Sequence, residues 1–224
     1  MAEQPTISIQ RTTMLNGINF VGNTLNKVGI DPFQLNANKI IKKAVKKSGY
    51  KGAIPKSIIE GLNKMVGSLN KDSKLNTFGK IAIKTHCERT LFGRLKVEQH
   101  FAEHPEIADI EIKEPIFIIG MPRTGTSILH ALLDQDHYHR SPLAWECLLP
   151  YPPPRPNDYF TNDQYKTIEK EFEQLFKLVP DFKKKHYMEA NSPQECLGIN
   201  ALDFNTFQIS AQAYVPEYMD WFAN

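Results

Sequence analysis

Residues Pro115–Asp136 read PIFIIGMPRTGTSILHALLDQD, and the reading of this stretch decides the fold. Pro115 opens a short apolar run, Ile116-Phe117-Ile118-Ile119, whose β-branched and aromatic content without alternation predicts a parallel strand covered on both faces. Gly120 breaks the run, Pro122 forbids its continuation, and Gly125 permits a turn that a Cβ would obstruct. Ile128, Leu129, Leu132 and Leu133 then follow at helical spacing. Strand, tight loop and helix in that order aim backbone N–H groups at one point, with the positive end of the helix dipole behind them. Such a loop suits a phosphate or sulfate.

What the loop lacks narrows the choice of anion. Gly120 and Gly125 have the spacing of the Walker loop, GxxxxGK[ST], but Thr126 stands where a nucleoside triphosphatase needs Lys, and Ser127 follows it. The cation lies inside the loop instead, at Arg123. A guanidinium there, with hydroxyls at Thr124, Thr126 and Ser127, suits bidentate bonds to a phosphate or a sulfuryl ester.

The stretch Gly120-Met121-Pro122-Arg123-Thr124-Gly125-Thr126-Ser127, then Leu129-His130, resembles the 5′-phosphosulfate loop of the sulfotransferase family, in the branch with a GxPRTGT[ST]xLH signature. Further matches follow in order. Asp136 and Arg140 resemble a "DP…R" stretch, with His137 in place of Pro. Trp145-Glu146 with Pro150 and Pro152-Pro153-Pro154 resembles "WE…P.PPP", and Met188–Cys196 resembles an "A..PEEC" box with Gln194 for the first Glu. Pro216-Glu217-Tyr218 and Trp221 resemble "P.Y..W". The resemblance implies an α/β fold: a P-loop-type parallel sheet flanked by helices, here incomplete, preceded by an α-helical N-terminal region. The expected boundary lies near residue 112, with helices over 1–112 and the first half of a sulfotransferase domain over 113–224.

Composition fits that picture. At 224 residues the chain can bury a sizeable core, and a net charge of +2 implies no strongly polyanionic partner, so no nucleic acid is expected. Cys87, Cys147 and Cys196 are odd in number and widely spaced, which gives neither a disulfide framework nor a metal pattern and predicts a reducing compartment. The start, MAEQPTISIQRTTMLNGINF, lacks a basic segment followed by an apolar one, and no run reaches the roughly 18–20 apolar residues of a membrane span. A cytoplasmic protein is the expectation; nothing in the sequence sets its oligomeric state.

Along the chain, residues 1–30 predict partial helix or loose chain. Asp31-Pro32 reads as the start of a helix that buries Phe33, Ile40, Ile41, Ala44 and Val45 and stops at Gly49. Its outer face carries Lys39, Lys42, Lys43, Lys46 and Lys47, with no acid between Asp31 and Glu60. This is either a solvated face, the favoured reading, or a patch for an anionic partner. Helices are expected after Pro55 (Ile58, Ile59, Leu62, Met65, Val66, Leu69) and from about Asn76 (Phe78, Ile81, Ala82, Leu91, Phe92, Leu95). Arg140–Glu146 predicts a second short strand, and the prolines from Pro150 to Pro156 an extended connection. Tyr165, Ile168, Phe172, Leu175, Phe176 and Val179 form a helical stripe closed by Pro180, and Ser192-Pro193-Gln194-Glu195 opens a further helix through Leu197, Leu202 and Phe207.

The resemblance implies 3′-phosphoadenosine 5′-phosphosulfate (PAPS) as donor, a small-molecule acceptor with a hydroxyl or amine, and no metal. Arg123, Thr124, Gly125, Thr126 and Ser127 would hold the 5′-phosphosulfate, with Arg123 also neutralising charge on the bridging oxygen. The base is open between Glu146, which otherwise orients Arg123 or Arg140, and His186, whose imidazole has a suitable ordinary pKa near ~6.5. Glu195 reads as either a family-box residue or part of a Ser192-x-x-Glu195 capping box, and His130 as a packed or surface histidine. The later arginines, Arg140 and Arg155, do not sit in the family's context for the donor's 3′-phosphate, so a truncated chain that binds donor weakly is expected. The alternatives are a P-loop small-metabolite kinase and a non-catalytic binding protein on the same fold.

Overall fold

Asparagine side chains set the helix starts of the N-terminal region. Asn36 Oδ1 accepts the Lys39 N–H at 2.9 Å, and Asn76 Oδ1 accepts the Gly79 N–H at 2.8 Å. Each satisfies an orphan amide of a first turn. The computed structural model describes residues 13–121, 124–179 and 188–224, apart from the Met14 side chain. Within these, α1 spans Thr13–Lys27, α2 Ala37–Ser48, α3 Lys56–Asp72 and α4 Thr77–Glu103. α2 stops at Gly49, which takes φ 69° and donates its N–H to Val45 O, the left-handed cap that glycine adopts without a Cβ penalty.

The α2 start expected at Asp31-Pro32 falls at Asn36 instead. The Asp31 carboxylate is spent elsewhere: it accepts the Phe33 N–H at 3.2 Å in a local turn and pairs with Lys80 on α4. The predicted stripes do form the core. Ile40 and Ala44 of α2, Ile58, Leu62, Met65, Val66 and Leu69 of α3, and Leu91 and Leu95 of α4 are all buried in one cluster. At roughly 1.5–3 kcal/mol per fully buried aliphatic side chain, the five from α3 make it the largest single contributor to that cluster.

The same cluster draws in the far end of the chain. Phe204, Ile209, Val215 and Tyr218 join it, the last from α9 (Pro216–Ala223), so residues on both sides of position 112 share one core. Phe204 adopts φ 54° at the end of a short 3₁₀ turn, and this ends the helix expected to run from Ser192 through Phe207. Its observed remnant, α8, covers only Leu197–Asn200.

A second cluster holds Leu143, Ala144, Trp145, Ile168, Phe172 and Ala190, contributed partly by α6 (Ala144–Leu148) and α7 (Asp163–Leu178). The α7 stripe is the predicted one, started by an Asn162 cap on the Tyr165 N–H at 2.8 Å. Arg140–Glu146 forms no strand. Leu143 makes one isolated antiparallel bridge to Pro193, and α6 takes over at Ala144. Nor does 116–119 form a strand among the described residues: it has no regular secondary structure, and Ile116, Phe117 and Ile119 are exposed. A strand exists through its ladder, and no second strand lies beside it there. α5 (Thr126–Leu133) follows the loop and buries none of its residues. No helix among the described residues is long and apolar enough to cross a membrane.

Candidate anion-binding loop and its flanking carboxylate

The loop is closed by its own side chains. Thr124 Oγ1 donates to Met121 O at 2.7 Å, and Gly125 takes φ 92° and ψ 8° as the residue that starts α5. No side chain caps that helix, so its N-terminal end is left for something other than an Asn or Asp oxygen. Gly120 is required by close approach. A Cβ there would lie 2.7 Å from Thr126 Cγ2 and 2.9 Å from Thr124 Oγ1, so both threonines fold back over it. Of the predicted anion ligands, Thr124, Gly125, Thr126 and Ser127 are thus gathered on one bend. Arg123 lies outside the described residues, and so does His186.

His130 on α5 ties this bend to the next segment, its Nε2 lying 3.0 Å from Ser141 Oγ. The neighbouring Arg140 extends to Glu146, NH2 to Oε1 at 2.5 Å. The other oxygen of Glu146 accepts the Leu143 N–H at 2.9 Å, a carboxylate reaching back to the amide that precedes α6. The Glu146 side chain is only 11% exposed, against 65% for Arg140, so the carboxylate is sunk and the guanidinium reaches outward. Tyr159 completes the group: burial, then hydrogen bonding to Glu146, pushes its phenol up to about 12. Trp145, fully buried, stacks edge-on against Tyr159 at 5.3 Å between centroids.

This second segment is clamped from behind. Ala144 N donates to Ser192 O at 3.0 Å, Trp145 N to Ala190 O at 3.1 Å, and Gln194 N to Pro142 O at 2.9 Å. The Ser192–Glu195 capping box does not form. Ser192 Oγ donates instead to Glu189 O at 2.7 Å and accepts the Glu189 N–H at 3.1 Å, and Glu195 is exposed. The short α8 starts without a side-chain cap.

Sequence reasoning missed one member of the group and held one contact only as an option. Tyr159 gave no signal, because aromatic residues in a loop are common. The Arg140–Glu146 pairing was legible only as one of two options for Glu146. A cavity of about 40 Å³ lies on the Cys147 side of α6, bordered by His86, Arg89, Phe92 and Tyr151. It has room for a water or two but not for an acceptor molecule. Burial, then the charge on Arg89, lowers the His86 pKa there.

A glycine-containing bend at the start of a helix is thus followed in the chain by a sunk carboxylate paired with an arginine. Residues 115–224 match the model of the sulfotransferase family. Over 64 residues the chain is 39% identical to the omega-hydroxy-beta-dihydromenaquinone-9 sulfotransferase Stf3 of Mycobacterium bovis and of Mycobacterium tuberculosis, a match covering 29% of this chain and 14% of those proteins. In fold it is similar to the crystal structure of the sulfotransferase STF1 from Mycobacterium tuberculosis H37Rv (TM-score 0.73, 26% identity, 85% of this chain and 53% of that one). It is equally similar to the sulfotransferase STF9 from Mycobacterium avium (TM-score 0.74, 28% identity, 86% of this chain and 50% of that one). The chain therefore spans about half the length of these solved relatives, and the resemblance carried by its motifs holds in both sequence and fold.

Proposed function

We infer that the chain carries the donor-binding portion of a PAPS-dependent sulfotransferase, which moves a sulfuryl group to a hydroxyl or amine of a small acceptor. The observation that supports this reading is the bend from Gly120 to Gly125, where a Cβ at residue 120 would run into the Thr124 and Thr126 side chains and a helix starts directly after the left-handed Gly125. A 5′-phosphosulfate suits this bend because Thr126 occupies the place of the Walker Lys, which leaves no point charge for the terminal phosphate of ATP. The omega-hydroxy compound named for the Stf3 relatives favours a hydroxyl acceptor.

In this reading Arg123 neutralises the oxygen that carries charge as the bond to sulfur breaks, while amides and hydroxyls of 124–127 fix the phosphate. Glu146 takes the acceptor proton, and Arg140 with the Leu143 N–H holds its carboxylate in one orientation. His186 is the second candidate base. The run 115–119 becomes the first strand of the parallel P-loop sheet once covered, which the exposure of Ile116, Phe117 and Ile119 supports. Three free thiols fit a reducing, cytoplasmic setting.

Calorimetric titration with 3′,5′-adenosine bisphosphate (PAP, the product that PAPS leaves), without divalent metal, tests the donor site. Binding is expected, and Arg123→Ala weakens it by at least about tenfold, the scale of one charge-assisted bidentate contact. Binding of Mg-ATP with no affinity for PAP would overturn the reading in favour of a kinase. For the base, Glu146→Gln is expected to abolish PAP release with hydroxylated acceptors while leaving PAP affinity in place. Full turnover in that variant moves the role to another residue.

A further inference from the structure

We propose that the outer face of α2 is a docking surface for an anionic lipid bilayer. α2 lies along α4 and buries Ile40 and Ala44 there. This fixes which side chains look outward. Lys43 and Lys47 sit on the flanks and are engaged, the first with Glu88 at 2.5 Å and the second over the Phe92 ring at 5.0 Å. Lys39, Lys42 and Lys46 are exposed at i, i+3 and i+7, and none of the three has a carboxylate partner among the described residues. The stretch between Asp31 and Glu60 contains no acid, and Lys51 and Lys56 are exposed beyond the helix. Nothing within this segment neutralises that row of charge. Its field reaches about a Debye length from the surface, roughly 10 Å at 0.1 M salt.

The choice of a bilayer over a nucleic acid rests on the segment just before α2. α1 is held against α4 through its inner face, where Asn19 Oδ1 accepts the Phe78 N–H at 3.0 Å and Gly22 lies against Thr77. That leaves Phe20 (73% exposed), Val21, Val28 and Ile30 in water on α1 and on the linker into α2. Three of these four, Val21, Val28 and Ile30, are aliphatic and offer a base or a phosphate nothing, whereas the acyl boundary of a membrane takes them beside basic head-group contacts. The lysines supply charge complementarity to anionic head groups, and the exposed apolar residues directly upstream of them in the chain supply side chains that an acyl boundary can take up.

Vesicle co-sedimentation of the chain tests this, with phosphatidylcholine alone and with about a third phosphatidylglycerol, a content that gives the surface the negative potential of an anionic leaflet. Selective binding to the anionic vesicles is expected, and it should be lost on going from about 0.1 M to about 1 M salt as the Debye length shrinks. K39E/K42E/K46E is expected to weaken it by at least about tenfold, K39Q/K42Q/K46Q to weaken it less, and K39R/K42R/K46R to retain it. Circular dichroism should show all three folded, since these side chains are exposed. Equal binding to both vesicle types, unchanged binding of the Glu variant, or tighter binding to duplex DNA than to anionic vesicles at the same salt would overturn the proposal.

Discussion

At Gly120 a single hydrogen in place of a methyl decides whether the loop can close. A Cβ would come within 2.7 Å of one threonine side chain and 2.9 Å of another, both belonging to the bend that is proposed to hold the phosphosulfate. Overpacking of this kind costs about 1–3 kcal/mol, and a change of that size in a preformed site is about fivefold to a hundredfold in affinity. Gly120→Ala is therefore expected to raise the PAP dissociation constant by roughly that factor in calorimetry, and Gly17→Ala, which meets nothing within 4 Å, to leave it unchanged. Equal constants for the two variants would show that the bend is not the binding element. The bend was legible at the level of residue types: two glycines and three hydroxyls at fixed offsets point to a phosphate loop. The Arg140–Glu146 contact was not, because six positions of separation in irregular chain fix neither distance nor direction.

Helices were legible and strands were not, for one physical reason. A helix closes its hydrogen bonds within its own sequence, so the stripes of α3 and α7 announce themselves. A strand needs a partner whose position the sequence does not mark, and 116–119 has none among the described residues. The start of α2 was misread for a related reason: Asp31 and Asn36 are both good caps, and the ion pair of Asp31 with Lys80 separates them only in three dimensions. Another feature that only three dimensions show is the Tyr218 hydroxyl, which holds α9 to the 204–206 turn inside the shared core. It accepts the Thr206 N–H at 3.0 Å and lies 2.8 Å from Phe204 O and 3.0 Å from Thr206 O, in a fully buried site. Tyr218→Phe leaves those groups without their partner, which should cost about 1–3 kcal/mol. Urea unfolding followed by circular dichroism checks it, and an unchanged midpoint would mean that water replaces the hydroxyl without loss.

Across the whole molecule the two buried clusters contrast with what lies between them. Ile110, Ile112, Ile116, Phe117, Ile119, Met121, Ile128, Leu129 and Leu132 are all exposed, Ile119 at 93%. Nine large apolar side chains exposed within one stretch of chain are surface that water does not tolerate alone, and a segment with no strand partner among the described residues can template pairing. This is the surface on which the proposed sheet would be built, since α5 and the 115–119 run present their apolar sides to no described residue of either cluster. In isolation the chain is accordingly expected to bind anilinonaphthalene sulfonate and to associate as its concentration rises. I112K/I119K/L132K is expected to reduce both dye binding and association while leaving the helical signal intact, because all three positions lie outside the buried clusters. Sedimentation velocity over a concentration series reads the outcome. A monomer at every concentration that also leaves the dye dark would mean that this face closes on itself in solution, and the strand assigned to 115–119 would then have to be sought elsewhere in the fold.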